Sequence, residues 1–582
     1  MARPVLLAIA ALVALPAALA AQSPGPPGGL GGRFGGDQRM PPRDPRQVEA
    51  ARGTATMRGI IVAADNGSPI RRAQVRLSGQ GVPSRVGTTD ERGRFEFKEL
   101  PAGRYTVSAS KGGFVALQYG QRRPSESGTP LDLGDGQTLD KIVIGLPRGS
   151  VITGRITDEF GEPVANATVS AMRYGYQAGA RRLLPGAGQN SRDTTDDQGH
   201  FRLFGLSPGE YIVSAGLRAG SEVTDPAGEP TGYAATYFPG TLNAAEAQRV
   251  NVALGQETTN VTFALIATKL VRVTGAVINS QGQAVTNGMV VLAPPNARLA
   301  GGGGLNQGAT ARIDGGGQFR VINVAPGRYT AQVRTMRGGF GGRQAQDSDG
   351  EFGRIDLMVG NDDVDGVVIV TGPGARVRGQ VVIDTGAPPS IRAQQVQIAA
   401  RLASPSQGVP GGGGLARLND DWTFELSGLF DARVIRAGLP QGWTLQSVLL
   451  NGEDITDTPL DPPPGQTISG VQIVISEKST TLSGRVTDTR GSAVTDVTVV
   501  ILPDDEKLWM YQSRFVHAAR PDQDGRFQVN GLPAYERYLA VAVQGLEDGQ
   551  AGDPEYLARI RPQGVSFSLN EGETKALDLR FR

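Results

Sequence analysis

The chain has 582 residues, which is too long for one hydrophobic core, and the usual size of about 100 to 200 residues per domain predicts three to six domains. Its 58 basic and 57 acidic residues nearly cancel, so neither a nucleic-acid-binding stripe nor an acidic tail is indicated. The complete lack of cysteine excludes disulfides and thiolate metal sites.

The first 53 residues do not resemble a folded domain. Arg3 precedes the apolar run Val5 to Leu15, and small residues follow at Ala18 to Ala20, which predicts a signal peptide over residues 1–20. Residues 21–53 are rich in Gly and Pro and predict a disordered leader. No later stretch approaches the roughly 20 apolar residues of a spanning helix, so we expect a secreted protein of the periplasm, cell surface or extracellular space without a transmembrane segment.

The rest of the chain repeats one unit about every 95 to 120 residues, the size of one β-sandwich domain. Each copy begins with a short alternating strand that contains a glycine. These glycines are Gly59, Gly154, Gly275, Gly379 and Gly484. The repeat predicts five sandwich modules at residues 54–147, 148–268, 269–372, 373–477 and 478–582, and the fourth is divergent.

The sharpest element of the repeat is a hairpin with the pattern Asp, two residues, Gly, one residue, Phe. It occurs at Asp90 to Phe95, Asp196 to Phe201, Asp314 to Phe319 and Asp522 to Phe527, with a degenerate copy at Asn419 to Phe424. An Asp that begins a turn can accept hydrogen bonds from backbone N–H groups two or three residues on, and glycine supplies the positive φ of the turn. The Phe is predicted to start the returning strand with its ring in the core.

A tyrosine follows the hairpin Phe after ten residues at Tyr105, Tyr211 and Tyr329, behind a Leu-Pro-x-Gly type of sequence, and Tyr538 follows one residue late. Module four has Val434 instead. Together these residues resemble the carboxypeptidase regulatory-like domain, a transthyretin-like seven-stranded sandwich. The resemblance implies a folding scaffold without catalytic residues or a cofactor. We therefore predict an all-β protein of about five tandem seven-stranded Ig-like or transthyretin-like β-sandwich modules in an elongated array, with few short helices.

Enzymatic chemistry finds little support in the sequence. A zinc hydrolase would need two His and a Glu around one metal, but His200 and His517 are the only histidines and lie in different modules. Calcium is a better competitor at Asp196–Asp197, Asp347–Asp349, Asp362–Asp365 and Asp522–Asp524. Turn formation already explains most of these Asp residues, so we expect no metal, no cofactor and no enzyme activity. The single stretch Arg337 to Arg343, similar to an RGG box, is interpreted as a glycine-rich loop, and no nucleic-acid partner is expected.

Binding is more plausible at the insertions that modules two to five carry before the hairpin, because insertions on a rigid sandwich often carry function. Aromatic residues flank two of these insertions, and others follow the tyrosine strand of module two. They could stack on sugars or contact a protein, and the alternative, which the sequence favours, is that they are apolar plugs under long loops. The candidate ligand contacts are Tyr174, Tyr176, Tyr233, Tyr237, Phe238, Trp509, Tyr511 and Phe515.

The function favoured by these observations is a secreted, non-catalytic scaffold that presents loops for protein or glycan contact at the cell envelope. Its partner would be an envelope protein or polysaccharide. A dedicated carbohydrate-binding protein is the alternative, and a metal-dependent hydrolase is the least favoured.

Overall fold

The computed structural model describes residues 53–581 except for short internal gaps, which are 80–81, 125, 178, 187–189, 218–222, 225–229, 294–308, 336–349, 385–389, 405–413 and 441. The predicted signal peptide, nearly all of the predicted leader and the stretch Arg337 to Arg343 lie outside the described residues. The fold is all-β, as predicted, and the described residues form one short α-helix, α1 (Pro554–Ile560), and 3-10 turns at Ala393–Gln395, Glu506–Leu508, Gln550–Gly552 and Arg561–Gln563. Among the described residues no helix has the length and apolar character to cross a membrane.

We use the predicted segments, which remain our proposal for the domain boundaries, to name modules one to five. Module one pairs β4-β1-β8 in one sheet and β3-β2-β5-β6 in the other, where β7 also pairs with β5. Its strands are β1 (Ala55–Ala63), β2 (Gln74–Gly79), β3 (Val82–Thr88), β4 (Arg94–Leu100), β5 (Gly103–Ser110), β6 (Leu117–Gln118), β7 (Leu131–Leu133) and β8 (Thr138–Leu146).

Module two has thirteen short strands, which are β9 (Ser150–Thr157), β10 (Thr168–Gln177), β11 (Ala180–Pro185), β12 (Arg192–Thr194), β13 (His200–Leu206), β14 (Gly209–Gly216), β15 (Val223–Thr224), β16 (Pro230–Tyr233), β17 (Thr236–Tyr237), β18 (Val250–Val252), β19 (Glu257–Thr258), β20 (Phe263–Ala264) and β21 (Ala267–Lys269). One sheet has the order β13-β9-β19, and β20 also pairs with β9; a second has the order β11-β10-β14-β17, with β12 on β10 and β18 on β14. Strands β15, β16 and β21 form a small third sheet.

Module three is one continuous hydrogen-bonded path, β24-β23-β26-β27-β28-β22-β25, because β27 pairs with β28 and joins the two halves. Its strands are β22 (Val271–Asn279), β23 (Met289–Ala293), β24 (Ala309–Arg312), β25 (Gln318–Val324), β26 (Gly327–Arg334), β27 (Glu351–Val359) and β28 (Val364–Pro373).

Modules four and five return to two sheets each. Module four has the orders β32-β29-β36-β34-β35 and β31-β30-β33, and module five has β40-β37-β43, with β44 on β37, and β39-β38-β41-β42. The strands of module four are β29 (Ala375–Ile383), β30 (Gln397–Leu402), β31 (Leu415–Arg417), β32 (Thr423–Leu429), β33 (Arg433–Gly438), β34 (Thr444–Leu450), β35 (Glu453–Asp454) and β36 (Thr467–Ser476). Those of module five are β37 (Thr481–Thr487), β38 (Thr498–Pro503), β39 (His517–Ala519), β40 (Arg526–Asn530), β41 (Tyr535–Val543), β42 (Val565–Leu569), β43 (Thr574–Ala576) and β44 (Leu579–Arg580).

The repeated glycine and the repeated Phe are neighbours in the sheet. In module one Gly59 on β1 lies opposite Phe95 on β4, and the equivalent pairs in modules two to five are also in register. A Cβ on Gly59 would lie 2.3 Å from the Ile142 carbonyl oxygen of β8 and 2.7 Å from the Phe95 ring. Glycine is therefore required because the aromatic ring covers it and the closing strand passes too close for a side chain.

The hairpin turn has the predicted form, with one correction to its hydrogen bonds. The Oδ1 atom of Asp90 accepts from the backbone N–H groups of Arg92 and Arg94, two and four residues on, rather than two or three. The turns that begin at Asp196, Asp314 and Asp522 have the same two bonds. In module four Trp422 replaces the turn glycine and adopts a φ of 66°.

Each repeated tyrosine forms a local hydrogen bond through its hydroxyl group to a carbonyl oxygen earlier in the chain. The hydroxyl groups of Tyr105, Tyr211 and Tyr329 each donate to the carbonyl oxygen four residues earlier, at 2.7 to 2.9 Å. The Tyr538 hydroxyl donates to the Pro533 carbonyl, five residues earlier. The late position of Tyr538 in the sequence therefore changes the register of this bond and does not remove it.

Module five has an additional apolar layer. Each module has a buried core between its strands, but a second cluster in module five joins β38 and β41 to Trp509 and to Leu557 and Ile560 of α1. All six residues of β38 are buried, because α1 and the insertion cover the face of the sheet that points away from the first core.

Module five also contacts modules that are distant in the sequence. The Arg104 Nη2 atom of module one donates to the Arg520 carbonyl oxygen at 2.7 Å, and Gly179 of module two lies against Gly552. Modules one and five are thus joined by hydrogen bonds although three modules separate them in the sequence.

Candidate functional site

Two aromatic residues of the module five insertion are buried. The Trp509 side chain is only 4% exposed, and its indole N–H donates to the Pro503 carbonyl at 2.9 Å. Phe515 packs edge-on against Tyr535, with ring centroids 5.5 Å apart. Both therefore belong to apolar cores, and the prediction that they contact a ligand is corrected because their rings are not available for stacking.

The rest of that insertion contacts module four. The Arg514 Nε atom donates to Asp457 Oδ2 at 2.8 Å, while Arg436 donates to the other carboxylate oxygen of Asp457 at 3.1 Å. These three side chains are each one-fifth exposed or less. The half-buried Tyr511 lies on the turn before Arg514. The insertion thus binds a neighbouring module of the same chain.

The module two insertion forms a long hairpin of β10 and β11, paired from Met172–Pro185 to Gln177–Ala180. The Arg181 guanidinium lies 5.1 Å from the Tyr174 ring centroid. Burial raises the pKa of Tyr237 on β17, and the nearby Tyr174 adds to this rise. The structure thus brings together two predicted aromatic candidates, both half-buried, and an arginine that the sequence analysis did not select.

Tyr176 lies near the tip of the same hairpin and faces module five. A Cβ on Gly549 would lie 2.8 Å from the Tyr176 carbonyl oxygen, and one on Gly179 would lie 2.6 Å from the Gly552 carbonyl oxygen. Both Gly179 and Gly549 have positive φ. Glycines on both sides allow this close approach, so Tyr176 takes part in a contact between modules.

Tyr233 and Phe238 serve packing within module two. The Tyr233 hydroxyl donates to Glu159 Oε2 at 2.7 Å, and burial followed by this hydrogen bond raises the Tyr233 pKa. The Phe238 ring packs edge-on against Phe263, with centroids 5.9 Å apart. Of the eight candidates, Tyr174 and Tyr237 are half-buried and lie near each other, and Tyr511 is half-buried on its own turn.

The acidic clusters and the histidines have structural partners. Asp363 pairs with Arg272 at 2.7 Å, and Asp365 accepts from the Thr274 hydroxyl at 2.6 Å. His200 begins β13 and is exposed, with its Nδ1 atom 3.7 Å from Asp196 Oδ2, whereas burial lowers the pKa of His517. Within the described part of the chain no three His, Asp or Glu side chains are placed to hold a metal ion. Asp347 and Asp349 lie outside it.

The hairpin turn of module five docks on an edge strand of module one. The Gln523 side-chain amide accepts from the Asp132 backbone N–H at 3.2 Å and donates to the Asp132 carbonyl at 3.3 Å, in the manner of a backbone peptide group. Arg122 and Asp496 form an ion pair at 2.8 Å beside this contact. Burial, and next a hydrogen bond with Asp522, raise the pKa of Asp132, while Arg104 opposes the rise.

A cleft of about 260 Å³ opens between modules one and five. Its wall includes Thr106, Ser127 and Pro130 from module one and Thr498, Arg520 and Leu546 from module five. Arg520 is 7% exposed, and its Nε and Nη2 atoms are buried without a hydrogen-bond partner among the described residues. Burial lowers the pKa of Arg520, and Glu126 and Asp496 oppose this shift. A buried unpaired guanidinium costs stability, so this cleft requires an explanation.

The residues of this cleft carry no sequence pattern that marks them. Gln523 occupies one of the variable positions of the hairpin, and Arg520 ends an insertion that was selected for its aromatic residues.

A signal for the burial of Trp509 was present in the continuous apolar run Val499 to Leu502, since a strand with no alternation is covered on both faces.

The family model for the carboxypeptidase regulatory-like domain matches residues 56–142 and 151–265. These ranges fall in modules one and two, so the chain contains tandem carboxypeptidase regulatory-like domains, as the repeated residues predicted. No match was found among curated proteins.

Several solved structures are similar to parts of the chain. The minor pilin GBS52 of Streptococcus agalactiae is 14% identical, and the alignment covers 36% of this chain and 95% of that chain with a TM-score of 0.21. A streptococcal ancillary pilin is 14% identical, with 55% and 99% covered and a TM-score of 0.20. The TIE protein of Bacillus anthracis is 9% identical, with 74% and 73% covered and a TM-score of 0.15. At these TM-scores we draw no conclusion about function from the similarity.

Proposed function

We propose that the chain is a secreted, non-catalytic scaffold of the cell envelope that binds a protein or glycan partner through surfaces held by its sandwich modules. The repeated Asp, Gly, Phe and Tyr residues form turns and cores. They supply the fold, so specificity falls to residues that differ from module to module.

The observation that carries the proposal is the cluster of Tyr174, Arg181 and Tyr237 on module two. Tyrosine and arginine dominate the binding energy of protein interfaces because they bury a large area and also form hydrogen bonds. The Arg181 side chain already lies against the Tyr174 ring, which reduces the conformational entropy that both would lose on binding.

A pull-down from an envelope fraction tests this proposal. The full chain should retain a protein or polysaccharide, and Tyr174→Ser should weaken retention about tenfold or more, the loss expected for an interface hot spot. Phe160→Ser is the matched control, because Phe160 is an aromatic residue of the same module that is 83% exposed and lies on a turn. If neither protein nor polysaccharide is retained at any salt concentration, the proposed function is wrong. Equal losses in the two variants would remove the Tyr174 surface from it.

A dedicated carbohydrate-binding protein is the second candidate, and the polar cleft between modules one and five favours it. A glycan array with the full chain tests this candidate. Binding of a defined glycan that survives Tyr174→Ser would support it, whereas an array without any bound glycan would contradict it.

A further inference from the structure

We propose that the cleft between modules one and five binds one unit of a neutral saccharide, with Arg520 as its main hydrogen-bond donor. The proposal deepens the binding role given above and rests on it, but it uses a different surface from the Tyr174 cluster. It names both the place and the chemical class of the ligand.

The Arg520 guanidinium has hydrogen-bond donors without a partner. The Nε and Nη2 atoms of Arg520 carry N–H donors that no described residue accepts, and a guanidinium has no acceptor capacity. The backbone of Arg520 is fixed by the Arg104 hydrogen bond to its carbonyl. The Arg520 side chain therefore extends into the cleft wall from a fixed backbone position, and its donors need oxygen acceptors.

The charges around the Arg520 donors limit the charge of the ligand. Glu547 and Asp548 line the same cleft, and Glu126 and Asp496 act electrostatically on Arg520. An anionic ligand would meet these carboxylates, and a cationic ligand would meet the buried Arg520. A hydroxyl group accepts from a guanidinium and donates to a carboxylate at once, so a neutral polyhydroxylated ligand satisfies both sets of groups.

The volume and the lining of the cleft limit the size and the chemical class of the ligand. The volume of about 260 Å³ is just below the roughly 300 Å³ at which pockets for drug-sized ligands begin, so a single sugar ring suits it better than a longer ligand. Among the described residues that line the cleft, Leu546 is the one large apolar side chain, so these residues offer no pocket for the side chain of a peptide.

The test is a calorimetric titration of the full chain with a panel of neutral methyl hexosides, glucuronate, glucosamine and N-acetylglycinamide. At least one neutral hexoside should bind more tightly than the charged sugars and the amide. Arg520→Gln should weaken that binding about tenfold or more, because hydrogen bonds from charged donors are among the stronger ones. Arg76→Gln, which alters an exposed module one arginine outside the cleft lining, should leave it unchanged.

Ser127→Trp provides a second variant that keeps the core intact. Ser127 is exposed at the cleft, so a large side chain there should block the ligand while the thermal unfolding stays as in the wild type. The proposal is overturned if no neutral hexoside binds, if glucuronate, glucosamine or the amide binds best, or if Arg520→Gln and Ser127→Trp leave binding unchanged. Tyr174→Ser separates the two proposals, because it should weaken envelope retention and leave hexoside binding in the cleft intact.

Discussion

The turn that begins at Asp196 in module two and the turn that begins at Asp522 in module five share the same internal hydrogen bonds, yet their surroundings differ. The Asp196 side chain is about half exposed, whereas Asp522 is 2% exposed because its turn lies against module one. The comparison teaches that the repeated residues determine the hairpin, while the variable residue after the Asp determines whether the hairpin binds another module.

Phe201→Ala and Phe527→Ala test whether the buried sides of the two hairpins are equivalent. Both rings are buried against a glycine of the neighbouring strand, so each truncation should reduce the free energy of unfolding of its own module by about 3 to 5 kcal/mol. Calorimetric unfolding of the full chain measures the effect. The two losses should be similar, and a silent Phe201→Ala would show that the two hairpins differ inside as well.

Gly154→Ala tests the same contact from the other strand. Its Cβ would lie 2.0 Å from the Val261 carbonyl oxygen and 2.9 Å from the Phe201 ring, so strands or ring must shift. We expect a loss of about 3 kcal/mol, the upper end of the usual range for overpacking, in the same calorimetric experiment. Gly112→Ala is the matched control because its Cβ would meet no atom within 4 Å. Equal free energies of unfolding for Gly154→Ala and Gly112→Ala would contradict the close approach of the Val261 carbonyl and the Phe201 ring to Gly154.

Gln523→Ala and Asp197→Ala test the outward-facing sides of the two hairpins. Each variant changes the residue that follows the Asp of its turn. Gln523→Ala removes both hydrogen bonds to the Asp132 backbone and should destabilise the contact between modules one and five by about 1 to 2 kcal/mol. Asp197 is exposed, so its loss should change stability by less than about 0.5 kcal/mol. Hydrogen exchange of the β7 amides measures the difference, and equal protection in both variants would contradict it.

The smallest expected effect is on the pH dependence of the same contact. Burial and Asp522 raise the pKa of Asp132 in the docked state, so docking binds a proton. The stabilisation is complete below the ordinary Asp pKa of about 3.9 and is lost as the pH rises through the raised pKa. Amide protection of β7 should therefore fall as the pH rises through this window, after correction for the intrinsic exchange rate. Asp132→Asn should flatten the dependence, and a wild-type contact that tightens with rising pH would contradict it.

Much of the fold was predictable because turns and cores depend on local patterns. The positions of Gly59 and Phe95 implied a strand and a hairpin, and their pairing explains why both residues recur. The burial of Trp509 depended on α1, which comes more than forty residues later and covers the outer face of β38. No local pattern carries that information except the missing alternation of β38 itself.

The candidate site was less predictable than the fold. Aromatic composition selected Tyr174 and Tyr237, which the structure places near each other, but it could not separate them from Phe515, which packs inside the core. Arg520 and Gln523 act only when module five meets module one, almost 400 residues away in the sequence. Contacts between distant modules depend on how the chain folds back, which repeat patterns do not encode.

The module five hairpin lies against module one within the same chain, and chemical cross-linking tests this contact directly. The chain has no cysteine, so the variant Asp132→Cys/Gln523→Cys can be cross-linked with a short bismaleimide in dilute solution, and Asp132→Cys/Asp197→Cys places the partner on the module two turn instead. Rapid intramolecular cross-linking of the first variant, much faster than that of the second, is the predicted result. Equal rates for the two variants would contradict the account.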